Sequence, residues 1–191
     1  MKKMSIILMI LVTLIWAGLA TAGEPAIQKG STAIFYETGF VSIDGTKLGV
    51  QHLVMDKFGA GIIVGFSNFS EDNGDKKPEK TTDMSLDAYL IYYPVTKGSV
   101  ALFAAPGVGF RYWSNKDKDD GFDDSQTDIY LGASIGAEWW LTDNVSLSAE
   151  NWMGLGLTIN KDKVADTKLT DTYLGIIQDS SYNFTLSFYF K

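Results

Sequence analysis

The residues that could carry out chemistry in this chain of 191 are few and isolated. His52 is the single histidine, and Leu53 and Val54 follow it. Hydrolytic sites that use a histidine as the base combine it with a serine or an acid, and neither stands beside His52. The chain also has no cysteine for thiol chemistry, disulfides or metal binding. We therefore predict no catalytic residue, no enzymatic activity, no metal site and no cofactor.

An acidic segment that begins at Asn115 has the composition of a calcium-binding loop. In the spacing of such a loop, position six is Gly and position twelve is Glu. Here those positions are Asp120 and Gln126, and the glycine comes one residue late. We interpret the segment as a solvated acidic loop. A weak divalent-ion bridge to lipopolysaccharide phosphates is the alternative.

Other ionisable residues fall on one face of strand-like runs, where successive side chains alternate between two faces. We predict a polar network inside the molecule from Glu37, Asp87, Arg111, Asp128, Glu138 and Glu150. Because an isolated buried charge is strongly disfavoured, Arg111 should pair with Asp83, Asp128 or both. Glu138 and Glu150 should be diagonal neighbours across a turn. The network could be a proton or ion path, or a structural plug, and we favour the plug.

The strands that carry these residues are almost free of lysine. The four longest runs, 99–113, 128–141, 145–160 and 182–190, contain a single basic residue, Arg111. A water-soluble sheet would place Lys and Glu on its solvent face. One face of 128–141 is instead apolar (Ile129, Leu131, Ala133, Ile135, Ala137, Trp139, Leu141), and the other is small or sparsely charged (Asp128, Tyr130, Gly132, Ser134, Gly136, Glu138, Trp140). This pattern indicates a narrow polar interior and an exterior that meets lipid.

The first 22 residues have the three regions of a secretory signal peptide. Two lysines precede an apolar stretch from about Ile6 to Leu19, which ends in Ala20-Thr21-Ala22. The stretch is shorter than the roughly 20 apolar residues of a membrane-spanning helix. We predict that 1–22 is cleaved and that 23–191 forms one domain. That domain has 14 basic and 23 acidic residues, a formal charge of −9, which argues against a nucleic-acid partner.

The coarse pattern of the domain is all-β. Eight strands are predicted at about 31–43, 47–55, 59–69, 83–93, 99–113, 127–141, 145–160 and 171–190. Short turns at 56–58, 94–98 and 142–144 alternate with longer polar segments at 70–82, 114–126 and 161–170, whereas Asp44-Gly45-Thr46 looks like a tight hairpin. An even number of strands with this alternation is typical of an eight-stranded antiparallel up-and-down transmembrane β-barrel. The short turns would face the periplasm.

Aromatic residues cluster near the predicted strand ends. Amphipathic rings favour the membrane–water interface, so we predict two girdles from Tyr92, Tyr93, Trp139, Trp140 and Phe188 on the turn side and from Tyr112 and Trp113 on the loop side. The alternative is that aromatic residues simply suit β-strands.

Two segments resemble a known family. Residues 132–150 have a Gly-rich strand ending in Glu138-Trp139-Trp140, a Thr-Asp-Asn turn and a return strand alternating Leu and Ser. This hairpin resembles those of small outer-membrane β-barrel proteins of the OmpX and OmpA-barrel type. The alternating row Tyr182, Phe184, Leu186, Phe188 and Phe190 is similar to the terminal signal that the barrel assembly machinery recognises, although Lys191 follows it here. The resemblance implies an eight-stranded outer-membrane barrel and says little about activity.

These patterns predict a non-enzymatic integral protein of the Gram-negative outer membrane, of structural or surface-interaction type, with a lumen plugged by side chains. A narrow porin-like channel for ions or small solutes is the first alternative, and a periplasmic lipocalin-like carrier is the second. The expected partners are outer-membrane lipid and lipopolysaccharide, and the assembly machinery during insertion. The sequence does not identify a surface ligand.

Overall fold

The computed structural model describes residues 25–39, 47–71, 79–117, 122–164, 167–178 and 183–190. Apart from turns and a short N-terminal segment, these residues form nine antiparallel strands. The strands are β1 (Thr32–Gly39), β2 (Lys47–Met55), β3 (Phe58–Glu71), β4 (Glu79–Lys97), β5 (Val100–Asp117), β6 (Phe122–Thr142), β7 (Val145–Val164), β8 (Thr167–Gln178) and β9 (Asn183–Phe190). No helix among the described residues is long and apolar enough to cross a membrane.

The sheet closes into a ring with eight positions. Each strand from β1 to β7 pairs with the next, and β9 pairs with both β1 and β7. The eighth position is shared, because β8 pairs with Met153–Val164 of β7 and β9 pairs with Val145–Glu150. The predicted eight-stranded up-and-down barrel is confirmed, with its last strand divided in two. The irregular piece predicted around 179–181 lies outside the described residues.

Side chains alternate between the exterior and the interior as the sequence pattern predicts. Ile135 is 70% exposed, whereas its neighbour Ser134 is 5% exposed. Ser148 is also buried, and Leu147, on the opposite face, is partly exposed. The exposed face forms an apolar belt around the barrel, which includes Ile62, Val64, Leu86, Leu90, Leu102, Val108, Leu131, Met153 and Leu155. Apolar side chains therefore cover the outside of this barrel and small or polar ones fill its middle.

The strands are longer than predicted, because a change to polar composition does not end strand pairing. Much of the predicted loops 70–82, 114–126 and 161–170 is paired strand; β5 and β6, for example, stay in register as far as Asp117 and Phe122. Likewise, Pro94–Lys97 belongs to β4, which contains a register shift between Tyr92 and Val95, so the turn there is shorter than predicted. The change to polar residues marks where the apolar belt stops, and hydrogen-bonded pairing continues beyond it.

Some predicted features fall on residues that the structure does not describe. The signal peptide 1–22, the hairpin at 44–46, Tyr182 and Lys191 lie outside the described ranges. The short turns that are described, at Asp56–Lys57, Gly98–Ser99 and Asp143–Asn144, all lie at one end of the barrel, which we call the turn end. The opposite end, to which the long hairpins extend, is the loop end.

Candidate functional site: the barrel interior

The interior contains a cavity of about 380 Å³. All six residues of the predicted polar network line it: Glu37, Asp87, Arg111, Asp128, Glu138 and Glu150. Alternation along five different strands brings them together, because each strand turns every second side chain toward the axis. The lining also includes Lys47 and Asp83, so six carboxylates face two cationic groups.

At the loop end of the cavity, Arg111 forms the pair that the sequence predicts. Its Nη2 donates to Asp83 Oδ2 at 2.5 Å, and its Nε donates to Oδ1 at 3.4 Å. Asp128 lies directly opposite Arg111 in the register, yet its carboxylate accepts hydrogen bonds from the Thr158 hydroxyl at 2.6 Å and the Gln126 amide at 2.8 Å. Arg111 therefore pairs with one of its two predicted partners, and neutral donors hold the other.

The middle of the interior contains an ion pair that the sequence analysis missed. Lys47 Nζ donates to Glu37 Oε1 at 3.0 Å, and only 4% of the Glu37 side chain is exposed. The signal was available, because Lys47 has the same parity along β2 as the buried residues Gln51 and Leu53. Lysine is scarce along the four longest predicted strands, but Lys47 is the first residue of the shorter strand 47–55. The sequence analysis therefore did not consider it.

The other two acids of this layer are held without an ion pair. Asp87 accepts a hydrogen bond from the Tyr130 hydroxyl. Glu150 accepts one from the hydroxyl of Ser134 on the neighbouring strand. Glu150 is opposite Gly136 and Glu138 is opposite Ser148, so the two glutamates are diagonal neighbours, as predicted.

Toward the turn end, Glu138 is the centre of a buried hydrogen-bond cluster. Its carboxylate accepts from the hydroxyls of Tyr93 at 2.6 Å and Tyr189 at 2.9 Å, and from Ser146. Gln51 Nε2 donates in turn to the Tyr93 oxygen at 3.3 Å. Glu138 itself is 3% exposed. Three hydroxyl donors thus replace the water that a buried carboxylate lacks.

An aromatic layer lies beneath this cluster. Tyr93 and Trp140 are both 0% exposed, and their ring centroids are 6.2 Å apart in an edge-to-face arrangement. Trp140 also packs against Tyr189, with centroids 5.7 Å apart, and Phe103 contacts Tyr93 edge to face at 6.0 Å. Together with Leu53, these rings belong to the main apolar cluster of the barrel.

The chain preceding β1 adds a second cover at the turn end. Ala26 and Ile27 are buried in the same apolar cluster as Trp140. Backbone hydrogen bonds fix this segment to the β2–β3 turn: Lys57 N donates to Ile27 O at 3.1 Å, and Gly30 N donates to Leu53 O at 2.8 Å. Side chains and the N-terminal segment therefore fill the turn end of the barrel.

The girdle prediction is wrong for two residues. Tyr93 and Trp140 face the interior, because adjacent residues of a strand face opposite sides and only one member of each aromatic pair can meet lipid. Their neighbours Tyr92 and Trp139, together with Phe188, lie on the exterior, with Tyr92 50% and Phe188 44% exposed. At the loop end, Tyr112 and Trp113 are each partly buried. Placement of the outer residues at the interface stays a prediction.

Four members of the predicted assembly row are described. Phe184, Phe188 and Phe190 are exposed and Leu186 is partly exposed, all on the outer face of β9. The opposite face of β9 carries Asn183, Thr185, Ser187 and Tyr189, which are buried. The row is therefore part of the apolar belt, and its role in assembly stays a prediction.

His52 lies on the outer face of β2, away from the polar network of the cavity. The side chain is exposed, and its Nδ1 lies 2.9 Å from the hydroxyl of Thr32, which is directly opposite on β1. Within the described ranges, no group of three or more His, Cys, Asp or Glu side chains could hold a metal ion. The polar cavity inside the barrel is therefore the candidate site, and His52 does not line it.

This architecture is similar to that of known proteins whose structures have been solved. No protein-family model and no curated protein sequence matches the chain. Solved structures do: a major outer membrane protein from Thermus thermophilus has a TM-score of 0.55 at 16% identity, covering 84% of this chain and 98% of that one. The outer membrane protein OprG from Pseudomonas aeruginosa has a TM-score of 0.57 at 13% identity, covering 89% of this chain and 99% of that one.

At these identities the similarity concerns architecture, and the ring of antiparallel strands with an apolar belt agrees with it. The chain has the fold of the small outer-membrane β-barrel proteins, which confirms the resemblance predicted from its sequence.

Proposed function

We propose that this chain is a non-enzymatic integral protein of a Gram-negative outer membrane, with a lumen plugged by its own side chains and a surface role carried by its long hairpins. The signal peptide is removed near Ala22, and the aromatic row of β9 directs the chain to the barrel assembly machinery. Outer-membrane lipid surrounds the apolar belt.

The main support for a plugged lumen is that buried side chains close the barrel at its turn end. Tyr93 and Trp140 are fully buried, and Glu138 ties Tyr93 to two other strands through hydroxyl donors. The N-terminal segment adds Ala26 and Ile27 below them. An ion entering the cavity from the loop end would have to displace this packed layer to leave at the turn end.

A narrow channel is the second candidate, favoured by the polar cavity and its excess of carboxylates. Single-channel recording in planar bilayers separates the two. For the wild type we expect no stable conductance steps. The variant Tyr93→Ala/Trp140→Ala removes the two buried rings and should produce steps of defined size.

The matched control is Tyr92→Ala/Trp139→Ala, which removes the same two residue types one position earlier on each strand. Because those rings lie outside the barrel, this variant should stay closed. Stable steps in the wild type, or equal opening in both variants, would contradict the plug.

A periplasmic carrier is tested by fractionation and by gel mobility. Lipocalin-like barrels hold apolar residues inside and charged ones outside, and the exposed belt here has the opposite arrangement. The folded protein should stay with the membrane fraction and migrate differently before and after boiling in SDS. Recovery in the soluble fraction without a mobility shift would favour the carrier.

The surface role is tested by removing 70–82 and 114–126 together from the full chain. These segments contain the ends of the β3–β4 and β5–β6 hairpins beyond the apolar belt. Surface attachment of cells producing the deletion variant should fall if the hairpins carry it. Unchanged attachment, with the heat-dependent gel shift intact, would remove the surface role and leave the plugged barrel.

A further inference from the structure

The wall of the cavity includes hydroxyl groups that have no partner in the described protein. Ser148, Thr185 and Ser187 line the cavity and are 9%, 8% and 5% exposed. None of the three side chains forms a hydrogen bond to another residue in the part of the chain that the structure describes. Because buried hydroxyls are almost always hydrogen-bonded, these three need partners from inside the cavity.

Two of these hydroxyls lie beside two carboxylates where the barrel closes. Thr185 on β9 is directly opposite Glu37 on β1 and Ser148 on β7. Glu150 is two residues from Ser148 along β7 and also lines the cavity. This part of the wall therefore combines carboxylate and hydroxyl oxygens, and both kinds of oxygen accept hydrogen bonds.

A third acid, Asp87, is on the opposite wall. Its strand, β4, is four of the eight ring positions away from β9. This layer contains the carboxylates of Glu37, Asp87 and Glu150 against one cation, Lys47, and the strand residues on both sides of each acid are described. A carboxylate that is withdrawn from water requires compensating charge, and a cationic ligand would supply it.

Aromatic rings leave the middle of this layer open, because they lie against glycines of the wall. The ring of Tyr89 occupies the space over Gly61, and the ring of Tyr130 occupies the space over Gly109. Both tyrosines line the cavity, whose volume of about 380 Å³ is within the range of small-molecule sites. A cation over such a ring is attracted to its π electrons, and an alkyl chain packs against it.

The cavity has one accessible end. Arg111 and Asp83 line it at the loop end, and their side chains are 54% and 25% exposed. At the turn end, Tyr93 and Trp140 are fully buried. A solute can therefore reach the carboxylates from the loop end, and the aromatic layer stops it there.

We propose that the lumen is a blind pocket for a small aliphatic amine that enters from the loop end. An ammonium group has three donors, which match the carboxylate of Glu150 and the hydroxyls of Ser148 and Thr185. The alkyl chain extends toward Tyr89 and Asp87. The described residues contain no group of three acids that could hold a metal ion, which favours an amine over a bare divalent cation. The inference rests on the closed lumen of the proposed function.

Isothermal titration calorimetry of the full mature barrel in a zwitterionic detergent tests this pocket. The probe is putrescine, a linear diamine. Butanediol of the same chain length is the neutral comparison, and succinate is the anionic one. The wild type should bind putrescine and neither of the other two. Absence of putrescine binding, equal binding of butanediol, or binding of calcium in place of putrescine would overturn the inference.

Two variants each remove one acceptor from the pocket. Glu150→Gln keeps the shape of the side chain and removes its charge, and the affinity for putrescine should fall about tenfold, because hydrogen bonds to charged groups are the stronger ones. Thr185→Val removes one hydroxyl and should weaken binding about fivefold. Since that hydroxyl has no partner among the described residues, Thr185→Val should not lower the free energy of unfolding.

The matched controls are Thr127→Val and Asp143→Asn, which make similar changes outside the lumen. Thr127 is on the outer face of β6, and Asp143 is exposed in the β6–β7 turn. Both controls should bind like the wild type. Wild-type affinity in both lumen variants, or an equal loss in the controls, would overturn the inference. If Glu150→Gln does not fold, Thr185→Val decides: a loss of stability without a loss of affinity would show that its hydroxyl is structural.

Single-channel recording separates this inference from the proposed function. A barrel that stays closed in planar bilayers but does not bind putrescine refutes the amine pocket alone. Stable conductance steps in the wild type refute the closed lumen, and with it the blind pocket.

Discussion

The hydroxyl of Tyr93 donates a 2.6 Å hydrogen bond to the carboxylate of Glu138 inside the barrel. The two residues are on β4 and β6, with β5 between them, so the bond passes over the inner face of β5. Tyr189 on β9 reaches the same carboxylate from the opposite side of β6, with β7 between the two strands. One acid thereby joins strands that are not neighbours in the barrel wall.

Glu138→Ala should destabilise the barrel. The change leaves the hydroxyls of Tyr93, Tyr189 and Ser146 without their shared acceptor, and a buried polar group that loses its partner costs roughly 1–3 kcal/mol. We expect the free energy of unfolding to fall by about 3 kcal/mol, measured by urea titration of the barrel in lipid vesicles. Tyr93→Phe is the control, because it removes one donor and keeps the acceptor, and it should cost about 1 kcal/mol. An Ala variant as stable as the wild type would show that the cluster adds no stability.

The period of two in the sequence was enough to predict which face of β6 lies on the exterior of the barrel. Ile135 and Ser134 differ so strongly in exposure because a closed barrel forces every second side chain inward. The same rule places Tyr92 on the exterior and Tyr93 in the interior. Their shared residue type and their adjacent positions do not distinguish the two. The interior position of Glu138 was predictable for the same reason, since it has the parity of Ser134.

Other features of the interior could be predicted only with knowledge of the register between strands. The partners of Glu138 come from β4, β7 and β9, whose alignment depends on turn lengths and on register shifts such as that between Tyr92 and Val95. The division of the last strand into β8 and β9 depends on an offset along β7. Composition does not encode an offset of one or two residues, so these contacts could not be predicted from the sequence.

Lys47→Met should leave Glu37 as an uncompensated buried charge. Removal of one partner of a buried pair is strongly destabilising, and we expect a loss of about 3 kcal/mol in the free energy of unfolding, measured in the same vesicle assay. The double variant Glu37→Gln/Lys47→Met removes both charges and should regain most of that stability. If the double variant is no more stable than the single one, the loss comes from packing at position 47 and not from the charge on Glu37.

Gly136→Ala should destabilise the barrel by disrupting the packing of Phe103 in the aromatic layer. The Phe103 ring lies over this glycine, and an added Cβ would be 2.8 Å from Phe103 Cε1 and 2.6 Å from the backbone oxygen of Ala149. Because the backbone oxygen cannot move aside, overpacking should cost about 1–3 kcal/mol in urea titration.

Gly175→Ala on β8 is the matched control for Gly136→Ala. A Cβ there meets no heavy atom within 4 Å, so the variant should be neutral or more stable by about 0.5 kcal/mol. A similar loss in both variants would point to backbone flexibility of glycine, and would exclude the contact with Phe103 as the cause.

Ile135→Arg should be costly in a bilayer, because Ile135 is on the outer face near the middle of the apolar belt and is 70% exposed. An arginine at the bilayer midplane of an outer-membrane barrel costs about 2–4 kcal/mol, and the cost falls to about 0–1 kcal/mol near the interface. Thr127→Arg supplies the control, since residue 127 has the same parity on β6 and is opposite Tyr112 at the loop end.

Both variants are unfolded with urea in lipid vesicles, and the loss in the free energy of unfolding should be large for Ile135→Arg and small for Thr127→Arg. Because the two substitutions introduce the same side chain on the same face of the same strand, a difference between them reports depth in the lipid. Equal losses would mean that the exposed apolar face is not immersed in hydrocarbon.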